Sequence, residues 1–101
     1  MLPRVDEATV RQHAEAHGEA VVEGDLRRAG RDLDGDALVQ AGEVMKQLPR
    51  TIRSADVESV ETEGEACVVR TRYRGDEGEG VVESRWEERE GRPKIVEMRV
   101  V

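Results

Sequence analysis

The second half of the chain alternates apolar or small side chains with charged ones. Because successive side chains of a strand point to opposite faces, such segments have one buried and one solvated face. The pattern predicts strands at 55–63, 66–74, 81–89 and 94–101, separated by turns rich in glycine. The residues expected on the buried face include Cys67, Val69, Thr71 and Tyr73, then Val82, Ser84 and Trp86, then Val96, Met98 and Val100.

The first half has helical spacing instead. A first helix is predicted from a cap at Asp6 or Thr9 to about Glu23, and a short second helix follows Asp25. A third helix ends before Pro49, which cannot continue the hydrogen-bond ladder. The predicted buried stripes are Val10, Ala14, His17 and Val21 in the first helix and Leu38, Ala41, Met45 and Leu48 in the third. The fold class expected is α+β, with N-terminal helices packed on a curved, four-stranded antiparallel sheet.

Length and charge limit the function. A chain of 101 residues predicts a single domain over 1–101. Charged residues make up 39% of it and the net charge is −7, with no basic patch, so nucleic-acid binding is not expected. No apolar run approaches the roughly 20 residues that span a bilayer, and the first residues lack a signal-peptide pattern, so we expect no membrane partner and a cytoplasmic location. Cys67 is the only cysteine, which excludes an internal disulfide.

Two segments carry a family resemblance. The first helix ends in Glu23-Gly24-Asp25-Leu26, and the chain closes with an aromatic strand, a charged glycine turn and a last strand, from Trp86 to Glu97. This order of elements resembles the NTF2-like superfamily, including its SnoaL-like and ketosteroid-isomerase-like members. The resemblance implies a cone-shaped, cystatin-like α+β domain. It leaves the activity open, because this fold hosts isomerases, cyclases and dehydratases as well as non-catalytic binding modules.

The candidate binding residues lie on the faces predicted to point inward. His17 belongs to the helical stripe, and an imidazole suits proton transfer near neutral pH. Tyr73 and Trp86 combine apolar area with one polar atom each. We expect any ligand pocket to be lined by His17, Tyr73, Trp86 and Met98, with Thr71 and Ser84 as hydrogen-bonding residues on the same face. The alternative is that these side chains form an ordinary core.

Two patterns resemble metal sites without completing one. His13 and His17 are four residues apart on a helix, but no further ligand has diagnostic spacing. The aspartates of 32–36 resemble a calcium loop, but Glu43, which falls at the twelfth position, lies inside a predicted helix. We therefore expect no metal and no cofactor.

The outer face of the predicted sheet alternates arginine with glutamate. Its residues are Arg70, Arg72, Arg74, Glu83, Arg85, Glu87, Glu97 and Arg99. The pattern is compatible with a solvated face or with a self-complementary homodimer interface, which we expect because the core is small and poor in aromatic residues. NTF2-like proteins often pair through this surface.

Three functions remain open from the sequence. The first is a non-catalytic module for small-ligand binding or dimerisation. The second is a SnoaL-like or isomerase-like enzyme acting on a small apolar ligand, with His17 as base and Tyr73 as hydrogen-bond donor. The third is a protein-interaction domain with a filled core. Catalysis needs an acid–base pair held in one site, and His17 with Tyr73 is the only candidate pair in the sequence. The sequence therefore favours binding over catalysis.

Overall fold

Three helices precede four strands in the computed structural model, which describes residues 5–101. The elements are α1 (Glu7–Glu23), α2 (Leu26–Gly30), α3 (Ala37–Gln47), β1 (Ile52–Glu63), β2 (Ala66–Gly75), β3 (Gly78–Arg89) and β4 (Arg92–Val100). The strands pair in chain order, β1-β2-β3-β4, and each neighbouring pair is antiparallel. The sheet is open, and the helices pack on one of its faces. The predicted α+β fold class is confirmed.

The ends of α1 follow from local chemistry. The Asp6 carboxylate accepts a hydrogen bond from the Thr9 backbone N–H at 3.1 Å and so caps the first turn. Gly24 ends the helix at a φ of 76°, a left-handed conformation that glycine adopts without strain. The predicted stripe is confirmed for Val10, Ala14 and His17, which are buried. This stripe packs α1 across β1 and β2.

The predicted buried stripe of α3 is wrong for two of its four members. Leu38 is 59% exposed and Met45 is 44% exposed, whereas Val44 is buried. The helix packs mainly on β4, so a line through Ala37 and Val44 faces the sheet and ends at the buried Leu48. Because α2 and α3 do not pack closely together, the side of α3 that carries Met45 borders an open cleft.

The turn between β2 and β3 is shorter than predicted. The sequence indicated a flexible turn over 75–80, but Gly75 pairs with Gly78 and Gly80 pairs with Tyr73 inside the sheet. A Cβ on Gly75 would lie 2.6 Å from the Cβ of Pro49, so glycine is needed there for close approach of the chain leaving α3. These glycines therefore mark packing sites within the strands.

A β-bulge shifts the inward pattern of β4. Trp86 pairs with Ile95 and Arg85 pairs with Glu97, which leaves Val96 as an extra residue. Ile95 consequently lies in the core at 1% exposure, a position that strict alternation did not predict. Val96 is also buried, so the bulge places two consecutive apolar side chains out of water.

The outer sheet face is covered with ion pairs made within the chain. Glu83 lies between two arginines of neighbouring strands, Arg70 and Arg99, each at 3.1 Å. Arg72 contacts Glu58 at 2.7 Å and Glu79 at 3.0 Å.

In the part of the chain that the structure describes, no helix has the length and apolarity needed to cross a bilayer.

Candidate functional site

An apolar cleft separates α1 and α2 from α3 above the sheet. Its volume is about 220 Å³. The lining residues are His17, Val21, Leu26, Ala29, Gly30, Leu33, Ala41, Gly42, Val44, Met45, Leu48, Tyr73, Val82 and Met98. Only His17 and Tyr73 among them carry a polar side-chain group, apart from the weakly polar sulfur of the methionines. A larger depression of about 280 Å³ lies over the outer face, but charged side chains such as Glu83 and Arg85 line it.

His17 reaches the cleft from the middle of α1 and is held by a buried carboxylate. Its Nδ1 lies 2.9 Å from Oδ2 of Asp32, and both side chains are about nine-tenths buried. A carboxylate accepts from Nδ1–H, so either the neutral ring protonated at Nδ1 or the imidazolium can make this contact. In the neutral ring that makes this contact, Nε2 carries no proton and can serve as a proton acceptor for a ligand.

Asp32 is positioned by the first half of β4. Its backbone carbonyl accepts from the Ile95 N–H at 2.6 Å, and the Asp34 N–H donates to the Ile95 carbonyl at 2.8 Å. Leu33 and Ile95 thus form a parallel bridge. The side chain of Arg92 donates from Nη2 to Oδ1 of Asp32. Two backbone hydrogen bonds and one ion pair therefore fix the position of the Asp32 carboxylate, which in turn positions His17.

Trp86 lies beside His17 but outside the lining of the cleft. The two rings meet edge to face, with centroids 6.3 Å apart and planes at 89°. The Trp86 Nε1–H donates to Oγ of Ser84 at 2.9 Å, and that hydroxyl is directed at the Val69 carbonyl at 3.5 Å. The edge-to-face contact with Trp86 therefore helps to hold the His17 ring in its orientation.

Tyr73 provides the second polar group of the cleft. The residue is 5% exposed, and burial alone raises the pKa of its phenol to about 12. Within residues 5–101 its hydroxyl has no hydrogen-bond partner. At neutral pH this group remains a protonated donor, and a ligand is free to accept its hydrogen bond.

The cleft brings together three of the six residues predicted for a site: His17, Tyr73 and Met98. Met98 is fixed through its backbone N–H, which donates to Oε1 of Gln40 in α3 at 2.8 Å. Trp86, Thr71 and Ser84 are buried nearby and are not among the lining residues.

Sequence reasoning missed Asp32 and Arg92. The sequence places Asp32 in an aspartate-rich turn and Arg92 in a predicted hairpin turn. No local signal links them to His17, because their contacts depend on the pairing of Asp32 with Ile95 across the fold. Within 5–101, no three His, Cys, Asp or Glu side chains are grouped so as to hold a metal ion.

Comparisons with known proteins return no relative. No protein-family model matches the chain, and neither the curated proteins nor the solved structures contain a significant match.

Proposed function

We propose that the cleft binds a small, uncharged and mostly apolar molecule carrying one hydrogen-bond acceptor. The observation that carries this proposal is the Tyr73 hydroxyl, which has no hydrogen-bond partner within residues 5–101 and belongs to a residue that lines an otherwise apolar space. A ligand acceptor such as a carbonyl oxygen can take the hydrogen bond that this hydroxyl donates, and the apolar lining offers no competing protein acceptor. Such a role is compatible with the NTF2-like fold, which the sequence resembles.

The volume of the cleft limits the size of the ligand. A cavity of about 150 Å³ is sufficient for benzene, so a cleft of about 220 Å³ suits one or two fused rings. A carboxylate ligand is disfavoured, because the lining offers no cation and the net charge of the chain is −7.

Three bicyclic probes of similar shape test this proposal. Calorimetric titration should show saturable binding of 1-tetralone, weaker binding of tetralin, which lacks the acceptor, and no binding of 1-naphthoate. The change Tyr73→Phe should weaken tetralone binding about five- to tenfold, the value of one neutral hydrogen bond, and leave tetralin binding unchanged. Equal binding of all three probes, or saturable binding of none, would contradict the proposal.

A second candidate function is proton transfer on the bound molecule, with His17 as general base. The contact that favours it is the buried His17–Asp32 hydrogen bond, which orients the ring so that neutral His17 offers an acceptor nitrogen in a largely apolar cleft. Tyr73 would donate a hydrogen bond to the oxygen on which negative charge develops.

Exchange of hydrogen for deuterium next to the tetralone carbonyl is the simplest assay for this candidate. Protein in D₂O should accelerate the exchange above buffer, and His17→Gln should abolish the acceleration. His13→Gln is the matched control, because His13 lies on the same helix outside the lining residues of the cleft. An unchanged rate in His17→Gln would exclude His17 as the base, while tetralone binding would still be tested separately.

A further inference from the structure

Arg92 contributes a positive charge next to the buried pair. Its guanidinium donates to Oδ1 of Asp32, while Oδ2 faces Nδ1 of His17. The Asp32 side chain is 11% exposed, and that of Arg92 is 39% exposed. One carboxylate therefore lies between a permanent cation and an imidazole that has two possible charge states.

The contact with Asp32 satisfies the guanidinium of Arg92 only in part. Its Nε is buried and has no hydrogen-bond partner within the described part of the chain. An apolar side chain at position 92 would leave Oδ1 of the buried Asp32 carboxylate without this donor. The positive charge itself is what an apolar replacement would lack.

We propose that Arg92 is a positioning residue that keeps His17 neutral and holds its ring in the Nδ1–H tautomer. This inference rests on the second candidate function, in which neutral His17 acts as base. With Arg92 in place, Asp32 is already neutralised, so a proton on Nε2 would add an uncompensated positive charge to the cluster. Without Arg92, imidazolium and carboxylate would form a balanced pair, and the equilibrium would shift toward protonated His17.

The geometry also explains how the role is divided between the two carboxylate oxygens. Arg92 is the first residue of β4, directly after the turn at Glu90 and Gly91, which have φ values of 53° and 86°. Ile95, three residues further along β4, donates its backbone N–H to the Asp32 carbonyl. One strand therefore fixes both the carboxylate and the cation that occupies Oδ1, which leaves Oδ2 for His17.

The test measures the charge state and tautomer of His17 by ¹⁵N NMR of the imidazole ring in the full, unliganded chain. His17→Asn assigns the signals against those of His13. In the wild type we expect the neutral ring protonated at Nδ1. In Arg92→Gln the ratio of imidazolium to neutral ring at pH 7 should rise about three- to tenfold, and Arg92→Lys should restore most of the wild-type ratio.

Arg89→Gln is the matched control. It removes the same charge from the same hairpin, but Arg89 pairs with Asp34 at 3.6 Å and Glu87 at 3.1 Å rather than with Asp32. The same rise in both glutamine variants would mean that only net charge matters and would overturn the proposal. So would an unchanged ratio in Arg92→Gln.

Two further outcomes keep the inference separate from folding and from the proposed function. If Arg92→Gln fails to fold, the wild-type spectrum and Arg92→Lys decide, since a wild-type ring protonated at Nε2 contradicts the proposal by itself. If the protein does not accelerate deuterium exchange on tetralone but the His17 spectra are as expected, catalysis is rejected. The role of Arg92 in setting the charge state of His17 would then still stand.

Discussion

Gly18 of α1 lies against Ala55 of β1 so closely that a Cβ at position 18 would be 2.9 Å from the Ala55 Cβ. Both atoms are attached directly to backbone, so neither can rotate away. This contact lets α1 descend onto the sheet and bring His17, its neighbour, into the interior.

The change Gly18→Ala should destabilise the fold by about 1–3 kcal/mol, because overpacking exceeds the gain in helix propensity. Gly42→Ala is the matched control in another helix interior, where a Cβ meets nothing within 4 Å. It should stabilise by about 0.5–1 kcal/mol. Urea unfolding of both variants measures the difference, and two stabilising changes would contradict the packing at Gly18.

Removal of the Asp32 side chain should be costly. Asp32→Ala leaves the Nδ1–H of His17 buried and Arg92 without its partner, so we expect a loss of about 2–4 kcal/mol in the free energy of unfolding. Asp34→Ala removes a half-exposed carboxylate two residues away and should cost less than about 1 kcal/mol. Equal midpoints in urea for the two variants would show that the buried network does not stabilise the fold.

Tyr73 should make stability fall at high pH. Its folded pKa is raised to about 12, above the value near 10 expected in the unfolded chain. The unfolded state therefore loses its proton first, so the contribution of Tyr73 is complete below about pH 10 and is lost as the pH rises toward 12, by about 1.4 kcal/mol per unit.

Tyr73→Phe isolates this effect from other groups that titrate in alkali. The difference in unfolding free energy between wild type and Tyr73→Phe should be constant from pH 7 to 9 and should shift against the wild type between pH 10 and 11. Parallel stability curves over that range would show that the phenol is solvated in the folded state.

The outer sheet face should mediate a homodimer that salt weakens. Arg99 has a side chain 72% exposed and belongs to the alternating charges of this face. Sedimentation equilibrium at micromolar concentration should give a mass above 11.3 kDa in dilute buffer and a lower one in 1 M salt, since exposed ion pairs are screened. Arg99→Glu should favour the monomer. Arg53→Glu is the control and should not, because Arg53 lies at the start of β1, beside the β2–β3 turn. A monomeric wild type would reject the interface.

The sequence by itself determined the elements and their order. Alternation with a period of two in β2 and β3, and helical spacing in α1, depend only on which faces of an element meet water. Caps such as Asp6 and Gly24 act within a few residues. These signals are local, so the α+β class and the burial of His17 and Tyr73 could be predicted from them.

Only the tertiary structure decided how those elements meet. The exposure of Leu38 and Met45 follows from α3 packing on β4 and not on α2. The inward position of Ile95 follows from a bulge, and the contact of Asp32 with His17 follows from backbone pairing between segments about 60 residues apart in the chain. Such contacts are set by long-range packing, which periodicity does not encode. The sequence therefore indicated a base candidate, whereas the fold supplied its carboxylate, its arginine and the cleft.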